Sequence, residues 1–161
     1  MTEVFERLVA LLACEQARFR VVEHDQAGRS AHVAEVRGTE LGQGAKALVC
    51  ELFHGATDAP RYVIAIVPGD RRLDGNKLAR LHGRRKSRFV PADVALELTG
   101  CVSGSIPPLS FNGLDVVCDR EVTSRYPEIA FNAGRLDRSI VLAVEDYLRI
   151  VRPRLADIQQ A

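Results

Sequence analysis

The sequence has no tryptophan, one methionine and only 6% aromatic residues, and neither sign of charge prevails: 22 basic side chains stand against 21 acidic ones, for a formal net charge of +1. A protein that grips long stretches of phosphate backbone by bulk charge would be more basic, so any nucleic-acid contact should be local. No apolar run approaches the ~20 residues of a membrane helix. The opening Met1-Thr2-Glu3-Val4-Phe5-Glu6-Arg7 lacks the basic start of a signal peptide. These absences predict a cytoplasmic protein that engages neither membrane nor DNA. The four cysteines (Cys14, Cys50, Cys101, Cys118) form no C-x-x-C pair, and reduced thiols are expected. There is no phosphate loop, no H-E-x-x-H helix and no G-x-S-x-G elbow. The four histidines (His24, His32, His54, His82) have no metal-ligand spacing, so neither metal nor cofactor is expected.

What is present suits one compact domain over residues 1–161, with 47% apolar residues to build its core. Val4-Phe5, Leu8-Val9 and Leu11-Leu12 recur at helical spacing. Phe19–His24 reads as a strand, and Ser30 is placed to cap a helix over Ala31–Arg37 that stops at Gly38. Lys46–Phe53 and Arg61–Val67 read as strands of a hairpin, joined by the polar turn His54–Pro60. Asp74 should cap a helix to Leu81, and Pro91 should open another that runs to Leu98. Cys101–Phe111 should be irregular. Leu114–Cys118, Glu128–Asn132 and Ser139–Leu142 are strand candidates, the last two separated by a turn at Ala133-Gly134. Val144–Ile150 closes as a helix, with a tail of uncertain order from Pro153. Without steady βαβ alternation, the pattern predicts an α+β fold with a mixed, curved sheet.

Two local features carry chemistry. Lys46 stands at the entrance of an apolar strand, just after Gly42-Gln43-Gly44. Its stem can pack while the ammonium snorkels to water. Alternatively, a lone cation there meets a phosphate or a developing oxyanion. The second feature is Thr99-Gly100-Cys101-Val102-Ser103-Gly104-Ser105-Ile106-Pro107-Pro108. Glycine lets backbone approach a ligand and proline fixes loop shape, so the segment is either a binding loop or an ordinary turn. Cys101 begins this loop and is the one candidate thiol nucleophile. His24, at a strand end before a glycine-containing turn, is the best placed histidine.

Taken in order, Gly44-Ala45-Lys46-Ala47-Leu48-Val49, Thr99–Pro108 and Phe131-Asn132-Ala133-Gly134 resemble the YbaK/prolyl-tRNA editing domain family over nearly the whole chain. Arg37–Cys50, Ile106–Phe111 and Glu128–Gly134 are most similar to its free-standing YeaK branch. The resemblance implies a mixed sheet curled into a partial barrel surrounded by helices. It also implies hydrolysis of the ester that joins an incorrect amino acid to the terminal adenosine of transfer RNA. Lys46 falls on the family lysine, linked to the terminal-adenosine end of the substrate. Gly104 and Pro108 fall on the family's G-x-x-x-P loop, whose glycine backbone is linked to the reacting centre. The catalytic expectation is therefore Lys46 and Gly104. Gly44, Ser103, Ser105, Pro108, Asn132, Gly134 and His24 are expected around the substrate, with Thr39 a further hydrogen-bonding candidate. A small misattached residue (alanine, serine or threonine) is expected, with cysteine the main competitor and a non-catalytic aminoacyl-tRNA or nucleotide-binding module the alternative. The implied partners are the acceptor end of a mischarged tRNA and a synthetase or elongation factor.

The run Arg71-Arg72, Lys77, Arg80, Arg84-Arg85-Lys86 and Arg88 has two readings. It is a solvated helix face, or Arg84, Arg85 and Lys86 form a local phosphate-contact patch.

Overall fold

A computed structural model describes residues 3–55 and 59–161; Met1-Thr2 of the charged opening and residues 56–58 of the His54–Pro60 turn lie outside the described residues. The chain begins with α1 (Glu3–Cys14), which buries Val4, Leu8 and Leu12, one per turn along a single face. β1 (Phe19–Glu23) follows. In α2 (Ser30–Arg37), Ser30 is already helical and Arg29 holds the capping position without a side-chain bond, so the expected serine cap is not made. Gly38 ends the helix at φ +72°, as expected.

A 3-10 turn, Leu41–Gln43, leads into β2 (Ala45–Phe53), which pairs antiparallel with β3 (Arg61–Pro68) from Ala45↔Pro68 to Leu52↔Arg61. In α3 (Gly75–Leu81), the Asp74 carboxylate accepts from the backbone N–H groups of Asn76 and Lys77, at 2.9 and 3.1 Å. β4 (Lys86–Phe89) comes next, and Pro91 precedes α4 (Ala92–Thr99) by one position. β5 (Asp115–Asp119) and the short α5 (Arg120–Ser124) lead to β6 (Glu128–Arg135) and β7 (Arg138–Ala143). The expected turn at Ala133-Gly134 is instead a bulge inside β6, and the chain reverses at residues 136–137.

The last helix, α6 (Val144–Val151), is followed by β8 (Arg154–Ala156). The tail of uncertain order is thus an ordered edge strand. Ile158 is fully buried, and buried Asp119 holds the segment by accepting from Ile158 N–H and from the Gln159 side chain, both at 2.9 Å. One carboxylate replaces the pairing that so short a strand lacks.

Among the described residues the strands form two sheets. One has the order β4-β2-β3-β5-β8, with β3–β5 and β5–β8 parallel; the other is antiparallel, β1-β7-β6. A single bridge, Gly44↔Ala130, joins them. The α+β class with mixed strands is as the sequence predicts, and the strands divide between two sheets that meet at this one bridge without closing. Alternation along β3 divides the core. Ile64 and Ile66 face a cluster shared with α1, β6 and β7, while Val63, Ala65 and Val67 face one shared with Leu78 and Ile158. No helix among the described residues is long and apolar enough to cross a membrane.

Candidate functional site

A cavity of about 410 Å³ opens where β2 parts from its neighbours. At one end Gly44 is bridged to β6; at the other, β4 pairs only with Cys50–Phe53, and Val90 N–H donates to the Val49 carbonyl. Between those points Ala45–Leu48 has a ladder partner on the β3 side alone. Ala45, Ala47, Val33 and Ala95 give the cavity small apolar walls, and Phe89, 61% exposed, stands at the rim. Among the described residues no Asp, Glu, His or Cys lines it.

The opposite wall is the loop that follows α4. Gly104 adopts φ +86°, and a methyl carbon there would lie 3.1 Å from the Gly28 Cα and 3.2 Å from the Gly28 carbonyl oxygen, so only glycine fits. Among the described residues its N–H makes no hydrogen bond. Its carbonyl accepts from Asn132 Nδ2 at 2.9 Å, and the same amide donates to the Ala27 carbonyl at 2.8 Å. The Asn132 Oδ1 accepts from the Ser139 hydroxyl at 3.1 Å. Asn132 thus pins both glycine-bearing loops to β6.

Lys46 Nζ donates to the Arg71 carbonyl at 2.9 Å. Burial pulls its pKa below the ordinary lysine value, nearby Arg72 adds to this, and Asp70 opposes it. Asp70 is itself clamped by Arg125 through two bonds, 2.7 and 2.9 Å, which holds its carboxyl below the usual range. Arg37, only 7% exposed, is a second cation on the cavity wall that the sequence did not single out. It donates to Thr39 Oγ1 at 3.0 Å, and to Ser139 Oγ and the Ala130 carbonyl at 3.3 Å each. No carboxylate among the described residues pairs with it, and burial lowers its pKa to about 10. An arginine in the last turn of a helix carries no such signal in sequence, because dipole stabilisation explains it equally well.

Of the expected site residues, Lys46, Gly104, Gly44, Ser103 and Asn132 line the cavity together. Ser105, Pro108, Gly134 and His24 do not. Ser105 is fully buried and donates to the Val102 carbonyl at 2.7 Å. The Pro108 carbonyl accepts from the Tyr147 hydroxyl at 2.6 Å. Gly134 gives its N–H to the Ser105 carbonyl and packs on Val4. His24 sits behind the wall, its Nε2 2.7 Å from Ser139 Oγ. Ser105 and Pro108 fix the loop from within, Gly134 ties it to β6, and His24 bonds Ser139 instead. Both amide hydrogens of Asn132 are committed, and Thr39 accepts from Arg37, so among the four polar candidates only Ser103 has a hydroxyl free of internal bonds among the described residues.

Cys101 is buried off the cavity; burial raises its thiol pKa, and it donates to the Thr99 carbonyl. A protonated, enclosed thiol is no nucleophile, which removes the cysteine-dependent reading. The basic run is not one helix face. Lys77 and Arg80 lie on α3, whereas Arg84 and Arg85 lie in the turn before β4, and Lys86 begins that strand. Arg88 pairs with Glu51, but Arg84, Arg85 and Lys86 make no ion pair among the described residues. β4 ends at Phe89 on the rim, so Lys86 lies ~10 Å along the strand from the cavity mouth.

The model of the aminoacyl-tRNA editing domain family matches residues 24–150. The multifunctional Ser/Thr-tRNA deacylase ProXp-y of Escherichia coli is 48% identical over 157 residues, 96% of this chain and 92% of that protein. A candidate Cys-tRNA(Pro)/Cys-tRNA(Cys) deacylase, EbsC of Enterococcus faecalis, is 29% identical over 154 residues, 92% of this chain and 91% of that one. Among solved structures, a candidate trans-editing enzyme for prolyl tRNA synthetase superposes with a TM-score of 0.81 at 25% identity, covering 100% of this chain and 99% of that one.

Proposed function

The chain belongs to the aminoacyl-tRNA editing domain family, and on that premise we propose that its cavity hydrolyses the ester between tRNA and a small misattached amino acid: serine, threonine or alanine. The observation that carries the reading is Gly104. Its backbone is packed against a second glycine loop, its N–H is unpaired among the described residues, and it lines the same cavity as Lys46.

An aminoacyl ester is already activated, so hydrolysis needs placement and charge stabilisation more than a side-chain nucleophile. Water adds to the ester carbonyl, and the Gly104 N–H supports the oxyanion that forms. The carbon–oxygen bond to the ribose then breaks. One of the water's protons passes to the ribose oxygen and the other is released to solvent, and the amino acid leaves as its carboxylate. Losing one donor of this type typically costs ~100–1,000-fold in rate. A cavity lined, among the described residues, by no carboxylate, imidazole or thiol fits such a division of labour. Lys46, tethered to the Arg71 carbonyl, holds the nucleotide end of the substrate. The alanine- and valine-lined walls admit small side chains and exclude larger ones, the usual basis of editing specificity. Ser103 supplies the free hydroxyl for a polar side chain.

Arg84, Arg85 and Lys86 contact acceptor-stem phosphates, the protein acts in the cytoplasm, and it works beside a synthetase or elongation factor. The test is a deacylation panel with tRNAs carrying serine, threonine, alanine, cysteine and proline, run with and without Lys46→Ala. Rapid loss of one mismatched residue, abolished in the variant, supports the reading. Binding without turnover would make the chain a carrier instead, and selective loss of cysteine would align it with the EbsC type.

A further inference from the structure

β2 leaves part of its edge unpaired inside the cavity, and the direction of that edge is fixed by its two ends. Val49 turns its carbonyl toward the open side, where Val90 N–H meets it. Gly44 turns its carbonyl toward β3, where Gly69 N–H meets it. The β2–β3 register is unbroken between them, so the odd-numbered residues Ala45 and Ala47 direct their backbone groups into the cavity. The Ala45 carbonyl and the Ala47 N–H are neighbours on that edge, an acceptor beside a donor, and neither has a partner among the described residues.

A second observation points to the same place. Among the described residues Phe89 is the most exposed of the large apolar side chains, at 61%, and stands on the rim where β4 stops. Its register partner is Cys50, so strand alternation sets it on the face shared with Leu48, opposite the face of Ala47 and Val49. A flat ring laid against the open edge is therefore flanked by apolar groups above and below.

We infer that the open edge of β2 reads the base of the terminal nucleotide: the Ala45 carbonyl accepts from the adenine amino group, and the Ala47 N–H donates to the adjacent ring nitrogen. Adenine presents a donor beside an acceptor there, complementary to the strand. Guanine presents the reverse pair and is rejected, because both of its polar groups would meet like partners. The inference rests on the editing reading and adds a recognition element to it. Strand backbone reads the base, while Lys46 and the Gly104 loop handle the ester.

The first test titrates ¹⁵N-labelled protein with AMP and, separately, GMP. In the free protein the Ala47 amide should exchange rapidly with solvent, while Lys46 and Leu48, which face β3, should be protected. AMP should shift the Ala47 resonance and slow its exchange, and GMP should do neither. Phe89→Ala, at an exposed position, should weaken AMP binding about tenfold without lowering Tm. An unmoved Ala47 amide with AMP bound, equal responses to AMP and GMP, or no AMP binding at millimolar concentration each overturns the inference. The second test uses seryl-tRNA whose terminal adenosine is replaced by purine riboside, which lacks the amino group. kcat/KM should fall about tenfold or more, and an equal rate overturns the assignment. Failure to hydrolyse ordinary seryl-, threonyl- or alanyl-tRNA would sink the editing reading alone; the Ala47 amide response still decides the base-reading inference.

Discussion

Asn132 donates one amide hydrogen to the Gly104 carbonyl and the other to the Ala27 carbonyl, so a single side chain on β6 fastens together the two glycine-bearing loops that pack against each other in the cavity wall. The loop that carries the reacting centre is thereby tied to a rigid strand, as precise catalysis requires. Asn132→Ala strands two carbonyls and removes one acceptor of the Ser139 hydroxyl; it should cost about 2–4 kcal/mol of stability in chemical denaturation and lower kcat more than it raises KM. A KM effect alone would mean that Asn132 contacts substrate and does not hold the loop.

Gly104→Ala meets two obstacles, a positive φ and the Gly28 backbone about 3 Å away. The variant should lose about 100-fold or more in single-turnover deacylation. Gly28→Ala is the informative control, since a methyl there finds its nearest neighbour, Leu136, at 3.5 Å. It should fold normally and keep most activity. Equal loss in both variants would point to the loop contact itself rather than to the Gly104 N–H.

Lys46 gives a pH signature. Its folded-state pKa lies below the ordinary lysine value, chiefly through burial. Deacylation should therefore fall on the alkaline side at a lower pH than a free lysine would produce. Between its folded and unfolded pKa values the folded chain holds fewer protons at this site. The stability penalty of the buried charge accordingly fades as pH rises through the folded value. Lys46→Arg should move the alkaline limb upward, and an unchanged pH–rate profile would separate Lys46 from the reaction.

How much was legible in the sequence followed from pattern length. The β2–β3 hairpin and α1 declare themselves through long apolar runs and helical spacing. β4 does not, because Lys-Ser-Arg-Phe over residues 86–89 is a four-residue edge with a single apolar side chain. β8 is shorter still, and what orders it is Asp119, a carboxylate distant in sequence. At the site, Lys46 and Gly104 were readable because a glycine turn and a Gly/Pro loop mark their surroundings. Arg37 and the open edge of β2 were not: burial of an arginine and absence of a strand partner are properties of three-dimensional arrangement, invisible to local pattern. The turn-forming and cavity-lining serines were indistinguishable for the same reason.

The basic turn before β4 should act on RNA affinity only. Replacing Arg84, Arg85 and Lys86 by glutamine should flatten the slope of log K against log salt by about 2–3. Hydrolysis of a seryl-adenosine ester too small to reach them should be unaffected. An unchanged slope returns these residues to ordinary surface.

Thiol chemistry offers an inexpensive check on the fold. Cys14 is exposed, while Cys50, Cys101 and Cys118 are buried, and burial raises the Cys50 and Cys118 pKa values to about 12. One thiol should react rapidly in the native protein, and its alkylation should leave deacylation intact. Inactivation that tracks a second, slower thiol would revive Cys101.

An unpaired strand edge ordinarily invites another chain to extend the sheet, the first step toward aggregation. In this protein the gap in the β2 ladder is recessed within a cavity of about 410 Å³, stopped at one end by the Gly44–Ala130 bridge and at the other by Val90. An incoming strand needs an open border along which to lie; a small ligand needs only a few unpaired groups. The same closure that shapes the site therefore keeps the edge from templating polymerisation, and changes that loosen either stop should be felt first as poor solubility during expression.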